Sequence, residues 1–306
     1  MTQVIDFFRL NYFFVIFIVI MKTSTFFAVF TAFCLICLGG CKSKQESTQS
    51  SCDFYTMEVH CTNAKGLNIY GSLYMPYSGE TKKPLAILAH GYNSSFREVE
   101  VYAQNLAQAG IACYIFDFTG GSNNSRSEGK SIEMSVFTEA DDIASIVEMV
   151  KAWDFIDQDR ISLLGCSQGG LVAAIASARM PQEFKSVILV YPAFSIAEHA
   201  VTVHPKEAIS SETGFPVMGL MLSHVYYDQL VGYNVFEEMA NYHGDVMIVY
   251  GDKDPITAGG YIERAKNVYE SCEVNVIPDG SHGFPEPEAH KLAEGHILDF
   301  FTRTLK

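Results

Sequence analysis

The chain has 306 residues, of which 48% are hydrophobic and 18% charged, and its 35 acidic side chains outnumber 21 basic ones. This length is enough for one large α/β domain, or two small ones, with a substantial core. The formal net charge of −14 and the lack of any basic run argue against nucleic acid as a partner, because phosphate contacts need clustered lysine and arginine.

The first forty residues differ in composition from the rest of the chain. Two apolar runs, at 13–20 and 26–38, are separated by Lys22, and small residues follow the second run. A basic start, an apolar segment of about a dozen residues and small residues before a cleavage site are typical of a secretory signal. We therefore predict a signal peptide over residues 1–41, with Met21 as an alternative translation start.

The junction Leu38-Gly39-Gly40-Cys41 resembles the lipobox of bacterial lipoproteins, in which the cysteine receives a lipid and becomes the first residue. The resemblance implies that Cys41 is lipidated, that 42–52 is a polar tether, and that an exported protein is anchored in a membrane of the bacterial cell envelope, facing the periplasm or the cell surface. An uncleaved transmembrane anchor built from both apolar runs is the alternative. The variant Cys41→Ser distinguishes the two, because it would release only a lipid-anchored protein from membranes.

Strand and helix patterns alternate over the domain predicted at 53–306. This alternation predicts an α/β fold whose mostly parallel eight-stranded sheet has helices on both faces. The strands are predicted at about 54–60, 67–75, 85–89, 111–116, 161–164, 186–191, 246–250 and 273–277. The helices are predicted at about 98–109, 138–153, 170–180, 260–269 and 287–302.

The alternation lapses over 193–243, after the sixth strand. Helical pieces at 217–222 and 235–239, scattered aromatic residues and no strand are predicted there. Because this insertion follows a strand at the carboxyl edge of the sheet, we predict that it forms a lid.

The pentapeptide Gly165-Cys166-Ser167-Gln168-Gly169 lies between a predicted buried strand and a predicted buried helix. G-x-S-x-G at such a turn is typical of the nucleophile elbow of serine hydrolases. The two glycines permit a sharp turn and a close approach of helix and strand. The pattern predicts that Ser167 is a nucleophile.

A serine nucleophile needs a base that removes its proton and an acid that orients the base. Of the nine histidines, only His282 follows a late strand in a loop flanked by glycines, so it is the predicted base. Asp252 and Asp254 compete for the role of the acid, since both follow the preceding strand. Asp254 is favoured because the proline after it fixes the turn.

The charge that develops on the substrate during acyl transfer needs two backbone N–H donors. Gln168, directly after the nucleophile, is predicted to supply one. Tyr92, in the loop after the third strand, is predicted to supply the other, with its ring lining the acyl pocket. His90 is expected to brace this loop by hydrogen bonds, the alternative being a second base.

The eight cysteines form no recognisable framework. Cys52 and Cys61 flank a predicted strand about 27 Å long, whereas a disulfide needs α-carbons within about 7 Å. Cys113, Cys166 and Cys272 are predicted to be small buried residues. No Cys/His spacing resembles a zinc site, so no metal or other cofactor is predicted.

Taken together, these motifs occur in the order seen in α/β-hydrolases. The chain most resembles the cinnamoyl (feruloyl) esterases and the serine aminopeptidase-like hydrolases of gut bacteria. The resemblance implies the α/β-hydrolase fold, with Ser167, Asp254 and His282 as the triad and Tyr92 and Gln168 as oxyanion donors. Cys166 departs from the family, which usually has histidine at that position.

The resemblance to feruloyl esterases also implies that an acid and a tyrosine of the insertion hold a phenolic hydroxyl. Tyr226, Tyr227, Asp228 and Tyr233 offer such groups, and packing within the lid is their alternative role. The predicted activity is hydrolysis of a small-molecule or oligosaccharide ester, such as a feruloyl or acetyl ester of plant polysaccharide. A peptidase of the serine aminopeptidase or prolyl oligopeptidase type, an acylglycerol lipase, and a binding protein without catalysis are the alternatives.

Overall fold

The computed structural model describes residues 53–77 and 79–306. The signal peptide, the lipidation site at Cys41 and the tether therefore lie outside the described residues and stay predictions. Within the described ranges, no helix is both long and apolar enough to cross a membrane.

The described chain contains ten strands and nine α-helices. The strands are β1 (Phe54–Thr62), β2 (Asn68–Pro76), β3 (Lys83–Ala89), β4 (Ala112–Phe116), β5 (Ile156–Cys166), β6 (Ser186–Val190), β7 (Phe215–Val217), β8 (Leu220–Leu222), β9 (Asp245–Gly251) and β10 (Cys272–Ile277). The helices are α1 (Glu100–Gln108), α2 (Val136–Lys151), α3 (Gln168–Arg179), α4 (Ser195–Val203), α5 (Lys206–Ser210), α6 (His224–Asp228), α7 (Val235–Met239), α8 (Tyr261–Val268) and α9 (Pro287–Leu305).

Eight strands form one sheet in the order β1-β2-β4-β3-β5-β6-β9-β10. The strand β2 is antiparallel to both of its neighbours, and every other neighbouring pair from β4 to β10 is parallel. The predicted mostly parallel eight-stranded sheet is confirmed. The central strands are buried along their apolar lengths, as expected of strands covered on both faces.

Alternate residues of the central strands face two separate cores. Leu85 and Ile87 of β3 pack in the core that contains α2 and α3. Ala86 and Leu88 pack in the core that contains α1 and α9. The two-residue alternation of a strand thus divides the apolar side chains between the two layers of helices.

The insertion at 193–243 contains α4 to α7 and a hairpin of β7 and β8. The predicted helix at 235–239 is confirmed by α7, whereas the predicted helix at 217–222, and the absence of a strand, are wrong. Met218 and Gly219 both have positive φ, at 43° and 89°, and form a two-residue hairpin turn of the kind that suits twisted strands. Leu220 and Leu222 are buried on either side of exposed Met221, which is the period of a strand.

Candidate active site

The register of the sheet brings five strand ends to one edge. Ala89 pairs with Gly165, Cys166 with Val190, Val190 with Val249, and Gly251 with Ile277. The loops after β3, β5, β6, β9 and β10 therefore begin at the same level of the sheet. These loops carry all of the residues predicted for the triad and the oxyanion donors.

Ser167 is the single residue between the end of β5 and the start of α3, and its backbone has φ 53° and ψ −118°. This conformation is strained for a residue with a side chain. Its amide donates to Val190 O at 2.9 Å, and its carbonyl accepts from Ala193 N at 3.0 Å. These bonds to the last residue of β6 and to the loop after it hold the strained turn in place.

The glycines on either side of Ser167 are required by the close approach of backbone to backbone. A Cβ on Gly165 would lie 2.0 Å from Gly169 O, and a Cβ on Gly169 would lie 2.3 Å from His90 O. Any side chain at either position would force the helix away from the sheet. The glycine spacing of the motif is thus explained by packing around the turn.

Ser167, His282 and Asp254 form a continuous hydrogen-bonded chain. Ser167 Oγ lies 2.8 Å from His282 Nε2, and His282 Nδ1 lies 2.8 Å from Asp254 Oδ2. Because a carboxylate only accepts, Nδ1 carries the proton and donates it to Asp254, which leaves Nε2 free to accept from the serine hydroxyl. This is the arrangement in which an imidazole can act as a base toward serine.

Asp254 is held in its charged form although its side chain is 0% exposed. Burial raises the pKa of its carboxyl, but the hydrogen bond and charge of His282 and the Ile256 amide outweigh burial, so the net shift of the pKa is downward. The Ile256 amide donates to Asp254 Oδ1 at 2.8 Å. The competing Asp252 instead accepts from the Asp279 amide at 2.8 Å, so the structure pairs Asp254 with the histidine.

Two residues that sequence reasoning missed support His282. The ring of buried Tyr191 packs against the imidazole with centroids 5.0 Å apart. Glu286 accepts from Ser281 Oγ at 2.5 Å and from Ser281 N at 3.1 Å, which fixes the residue before the histidine. The only sequence signal for Tyr191 is its position at the end of the sixth strand.

The loop after β3 is braced by His90, as expected. His90 is buried, its Nδ1 lies 2.7 Å from Gly91 O, and Phe118 N donates to its Nε2 at 3.1 Å. Burial lowers the pKa of His90, so the ring is neutral and donates through Nδ1. The reading of His90 as a second base is therefore disfavoured.

Both segments that carry the predicted oxyanion donors adjoin Ser167. Gln168 begins α3, where the first N–H groups have no acceptor within the helix and the helix dipole favours negative charge. Tyr92 follows Gly91, whose Cβ, if present, would lie 3.0 Å from Ser167 Cβ. The loop after β3 thus runs directly beside Ser167.

The hairpin β7–β8 lies against this side of the site. Its backbone carbonyls accept hydrogen bonds from four side chains of the loops around the sheet edge, so the hairpin covers the oxyanion loop. The bonds are Tyr92 Oη to Val217 O at 2.7 Å, Asn93 Nδ2 to Met218 O at 3.3 Å, Asn123 Nδ2 to Gly219 O at 2.6 Å and Ser131 Oγ to Met221 O at 2.7 Å.

The side chain of Gln168 connects the nucleophile turn with α2 and the insertion. Its Nε2 donates to Glu139 Oε2 at 2.8 Å, and its Oε1 accepts from Tyr226 Oη at 2.7 Å. Burial raises the pKa of Glu139, the Gln168 hydrogen bond opposes this shift, and the net pKa is about 8. Glu139 is therefore mostly uncharged at neutral pH. Sequence reasoning missed this buried network.

The three predicted substrate contacts, Tyr227, Asp228 and Tyr233, lie in different environments. Tyr227 is fully buried and its hydroxyl has no hydrogen-bond partner. Asp228 is exposed and binds His224 at 2.7 Å, while the Tyr233 hydroxyl donates to Glu238. Because Asp228 and Tyr233 already have partners of their own, Tyr227 is the member of this set with a free polar group.

The cysteines of the described residues are free thiols, and most of them are buried. Cys166, directly before the nucleophile, is a free buried thiol, and burial raises its pKa. Cys61 and Cys113 are free and buried as well, and Cys272 is half-buried. Within the ranges that the structure describes, no group of histidine, cysteine and acidic residues could hold a metal ion.

Comparison with known proteins finds hydrolases. A family model described as serine aminopeptidase, S33, matches residues 80–226. The acylamino-acid-releasing enzyme of Rattus norvegicus is 21% identical over 220 residues, which are 69% of this chain and 30% of that enzyme. Thiohydrolase aneE of Aspergillus aculeatus is 29% identical over 153 residues, which are 49% of this chain and 44% of that protein. The chain thus spans less than half the length of either relative.

A solved structure is similar over most of this chain's length. Est1E from Butyrivibrio proteoclasticus, determined with bound ferulic acid, has 25% identity and a TM-score of 0.70. The similarity covers 81% of this chain and 98% of that chain.

Proposed function

We propose that this chain, which belongs to the α/β-hydrolase superfamily of serine hydrolases, cleaves carboxylic esters through an acyl-enzyme on Ser167. The observation that carries the proposal is the hydrogen-bonded chain from Ser167 through His282 to Asp254, with two distances of 2.8 Å. Each member comes from a different loop at one edge of the sheet, in the geometry that acyl transfer requires.

In the proposed reaction His282 Nε2 takes the proton of Ser167 Oγ as the oxygen attacks the ester carbonyl. The imidazolium that forms is stabilised by buried Asp254, whose low pKa keeps it ionised. His282 then gives the proton to the leaving alcohol, and the acyl group remains on Ser167. Water, activated by the same imidazole, releases the acid and restores the hydroxyl.

The tetrahedral intermediates carry a negative oxygen beside the nucleophile. The backbone N–H groups of Tyr92 and Gln168 are the proposed donors to this oxygen. Removing one such donor typically costs about 100- to 1000-fold in kcat. The start of α3 adds the favourable end of the helix dipole to the Gln168 donor.

Esters of phenolic acids are the favoured substrate class. The support is the similarity to Est1E, whose structure contains ferulic acid, together with the unpaired buried hydroxyl of Tyr227. A buried hydroxyl without a partner can discriminate strongly for a substrate that supplies one. Feruloyl esters of plant polysaccharide fit this description.

An amide substrate is the second candidate function. The serine aminopeptidase family model and the acylamino-acid-releasing enzyme of the rat favour it. The same triad serves ester and amide cleavage, so the arrangement of Ser167, His282 and Asp254 does not decide between them.

Hydrolysis by the purified full chain tests the proposal, with Ser167→Ala as the control. The panel contains p-nitrophenyl acetate, methyl ferulate, a monoacylglycerol and aminoacyl anilides. We expect cleavage of the esters, fastest for methyl ferulate, and a loss of at least about 1000-fold in kcat in Ser167→Ala. Absence of any Ser167-dependent cleavage would refute catalysis, and faster cleavage of anilides than of esters would replace the esterase with a peptidase.

A further inference from the structure

The carboxylate of Glu98 binds two segments that support the catalytic residues. Glu98 ends a short 3₁₀ turn over Phe96–Glu98, just before α1. Its Oε2 accepts from Gly91 N at 2.8 Å. Its Oε1 accepts from Tyr191 Oη at 3.3 Å. One side chain thus contacts both the loop of the oxyanion donor and the tyrosine that packs on the catalytic histidine.

Gly91 is held on its other side by His90. The Gly91 carbonyl accepts from His90 Nδ1 at 2.7 Å, and the proton is on Nδ1 because Phe118 N donates to Nε2. The carbonyl of Gly91 and the N–H of Tyr92 belong to one trans peptide. In such a peptide these two groups point in opposite directions. Fixing the Gly91 carbonyl toward His90 therefore directs the Tyr92 N–H away from it.

The contacts of Gly91 restrict rotation of the Gly91–Tyr92 peptide, which carries the proposed oxyanion donor. The position of a Cβ on Gly91 would be 3.0 Å from Ser167 Cβ and 3.4 Å from Glu98 Oε1. The Gly91 N–H and C=O are both engaged, so the segment is fixed from two sides next to the nucleophile. Displacements of about 1 Å at such positions can cost about 100-fold in rate.

We propose that Glu98 is a positioning residue that, together with His90, clamps Gly91 and so aims the Tyr92 N–H at the oxyanion. This inference rests on the proposed function of Ser167 as the nucleophile. Through Tyr191, whose ring lies 5.0 Å from that of His282, the same carboxylate also supports the placement of the base. Glu98 touches neither the substrate nor the reacting atoms, so its effect passes through the backbone that it holds.

The test compares Glu98→Met with Glu98→Gln. Methionine keeps the length of the side chain but removes both acceptors, whereas glutamine keeps one carbonyl oxygen for the Gly91 N–H. We expect Glu98→Met to lower kcat for p-nitrophenyl acetate by about 10- to 100-fold, because the donor is displaced and not deleted. KM should change by less than about threefold, and Glu98→Gln should stay within about threefold of the wild type.

Labelling of Ser167 by a fluorophosphonate gives a readout that does not depend on the natural substrate. The phosphoryl oxygen of the fluorophosphonate needs the same N–H donors as the ester oxyanion. The labelling rate should therefore fall together with kcat in Glu98→Met. Glu100→Met is the matched control. Glu100 lies two residues after Glu98 in the chain and accepts from Tyr74 Oη at 2.6 Å, whereas the Gly91 N–H is bound by Glu98. Labelling and kcat of this control should match the wild type.

The outcomes separate the two proposals. A wild-type chain that neither hydrolyses esters nor accepts the fluorophosphonate refutes the proposed function. A wild-type chain that reacts, with Glu98→Met reacting equally fast, refutes the clamp. An equal loss in Glu98→Met and Glu98→Gln, or a rise of KM without a fall of kcat, refutes it as well. Thermal unfolding shows whether each variant is folded, and Glu98→Leu replaces Glu98→Met if the latter is not.

Discussion

The loops of the triad and the insertion at 193–243 are held in place by different kinds of contact. In the triad loops, backbone groups hold two of the three predicted triad residues, as Val190 O does for Ser167 N and Ile256 N for Asp254. The hairpin of the insertion is instead held by side chains that reach it from the oxyanion loop and neighbouring loops, such as Tyr92 and Asn123.

This difference separates catalysis from specificity. We expect the contacts within the triad loops to preset the geometry of the proposed reaction. The insertion offers an unpaired Tyr227 hydroxyl and the exposed Met218 and Met221. We therefore expect changes in the triad loops to affect turnover, and changes in the insertion to affect stability or substrate choice.

The largest effect is expected for Asp254→Asn. An amide can donate to His282 Nδ1 and so favours the wrong tautomer, which should lower kcat by about 10⁴-fold with little change in KM. Steady-state kinetics with p-nitrophenyl acetate measures both constants. Asp252→Asn is the matched control in the same loop and should retain nearly full activity. A comparable loss in both variants would show that the loop, and not the hydrogen bond to the histidine, matters.

An intermediate effect is expected for Glu139→Gln, in the network through which α2 contacts the insertion. Because the pKa of Glu139 is raised to about 8 in the folded chain, the unfolded chain loses this proton at lower pH than the folded chain. This tighter binding of the proton stabilises the folded chain fully below the ordinary carboxyl pKa, and the stabilisation is lost as the pH rises to about 8. This contribution is on the order of 5 kcal/mol at most.

Glutamine at position 139 cannot ionise, so it should weaken this dependence on pH. The measurement is the free energy of unfolding by denaturant at pH 5 and pH 8, in both proteins. We expect the decrease between these pH values to be smaller in Glu139→Gln than in the wild type. Equal decreases would show that Glu139 ionises at the same pH in the folded and unfolded chains.

The smallest effects are expected for the neighbouring variants Tyr226→Phe and Tyr227→Phe. Tyr226→Phe removes the donor to Gln168 Oε1 and should cost about 1–3 kcal/mol of unfolding free energy, because a buried acceptor is left unpaired. Tyr227→Phe removes a hydroxyl that has no partner and should cost nothing. Denaturant unfolding of both proteins measures the difference.

Tyr227→Phe should instead change substrate choice. The ratio of kcat/KM for methyl ferulate to that for methyl cinnamate, which lacks the phenolic hydroxyl, should fall by about 10-fold. An unchanged ratio would contradict a contact between Tyr227 and a phenol. Loss of stability in Tyr227→Phe equal to that in Tyr226→Phe would contradict the different environments of the two hydroxyls.

The sheet was predictable because its strands are local apolar runs. All eight strands of the sheet were predicted within a few residues, with the largest difference at β5 (Ile156–Cys166). Its first residues include the polar run 157–160, which the apolar pattern could not identify as strand. These residues are partly exposed and lie at an irregularity, where the pairing with β3 passes from Lys83 and Ile156 to Leu85 and Ile161; no local apolar pattern indicates such an irregularity.

The hairpin at 215–222 was not predictable in the same way. Val217, Leu220 and Met221 have the i, i+3, i+4 spacing of one face of a helix, whereas Leu220 and Leu222 have the spacing of a strand. The choice depends on hydrogen bonds that Tyr92 and Asn123 supply from over ninety residues away in sequence. A local pattern contains no information about such partners.

The fold class and the candidates Ser167, Asp254 and His282 could be predicted from the amino-acid sequence, because strands, glycine turns and the order of these residues can be read along the chain. The folded chain was needed to show that Asp254 and not Asp252 faces the histidine, and that Glu98, Glu139 and Tyr191 support the site. These pairings join residues far apart in sequence, and they depend on the register that places five strand ends at one edge of the sheet.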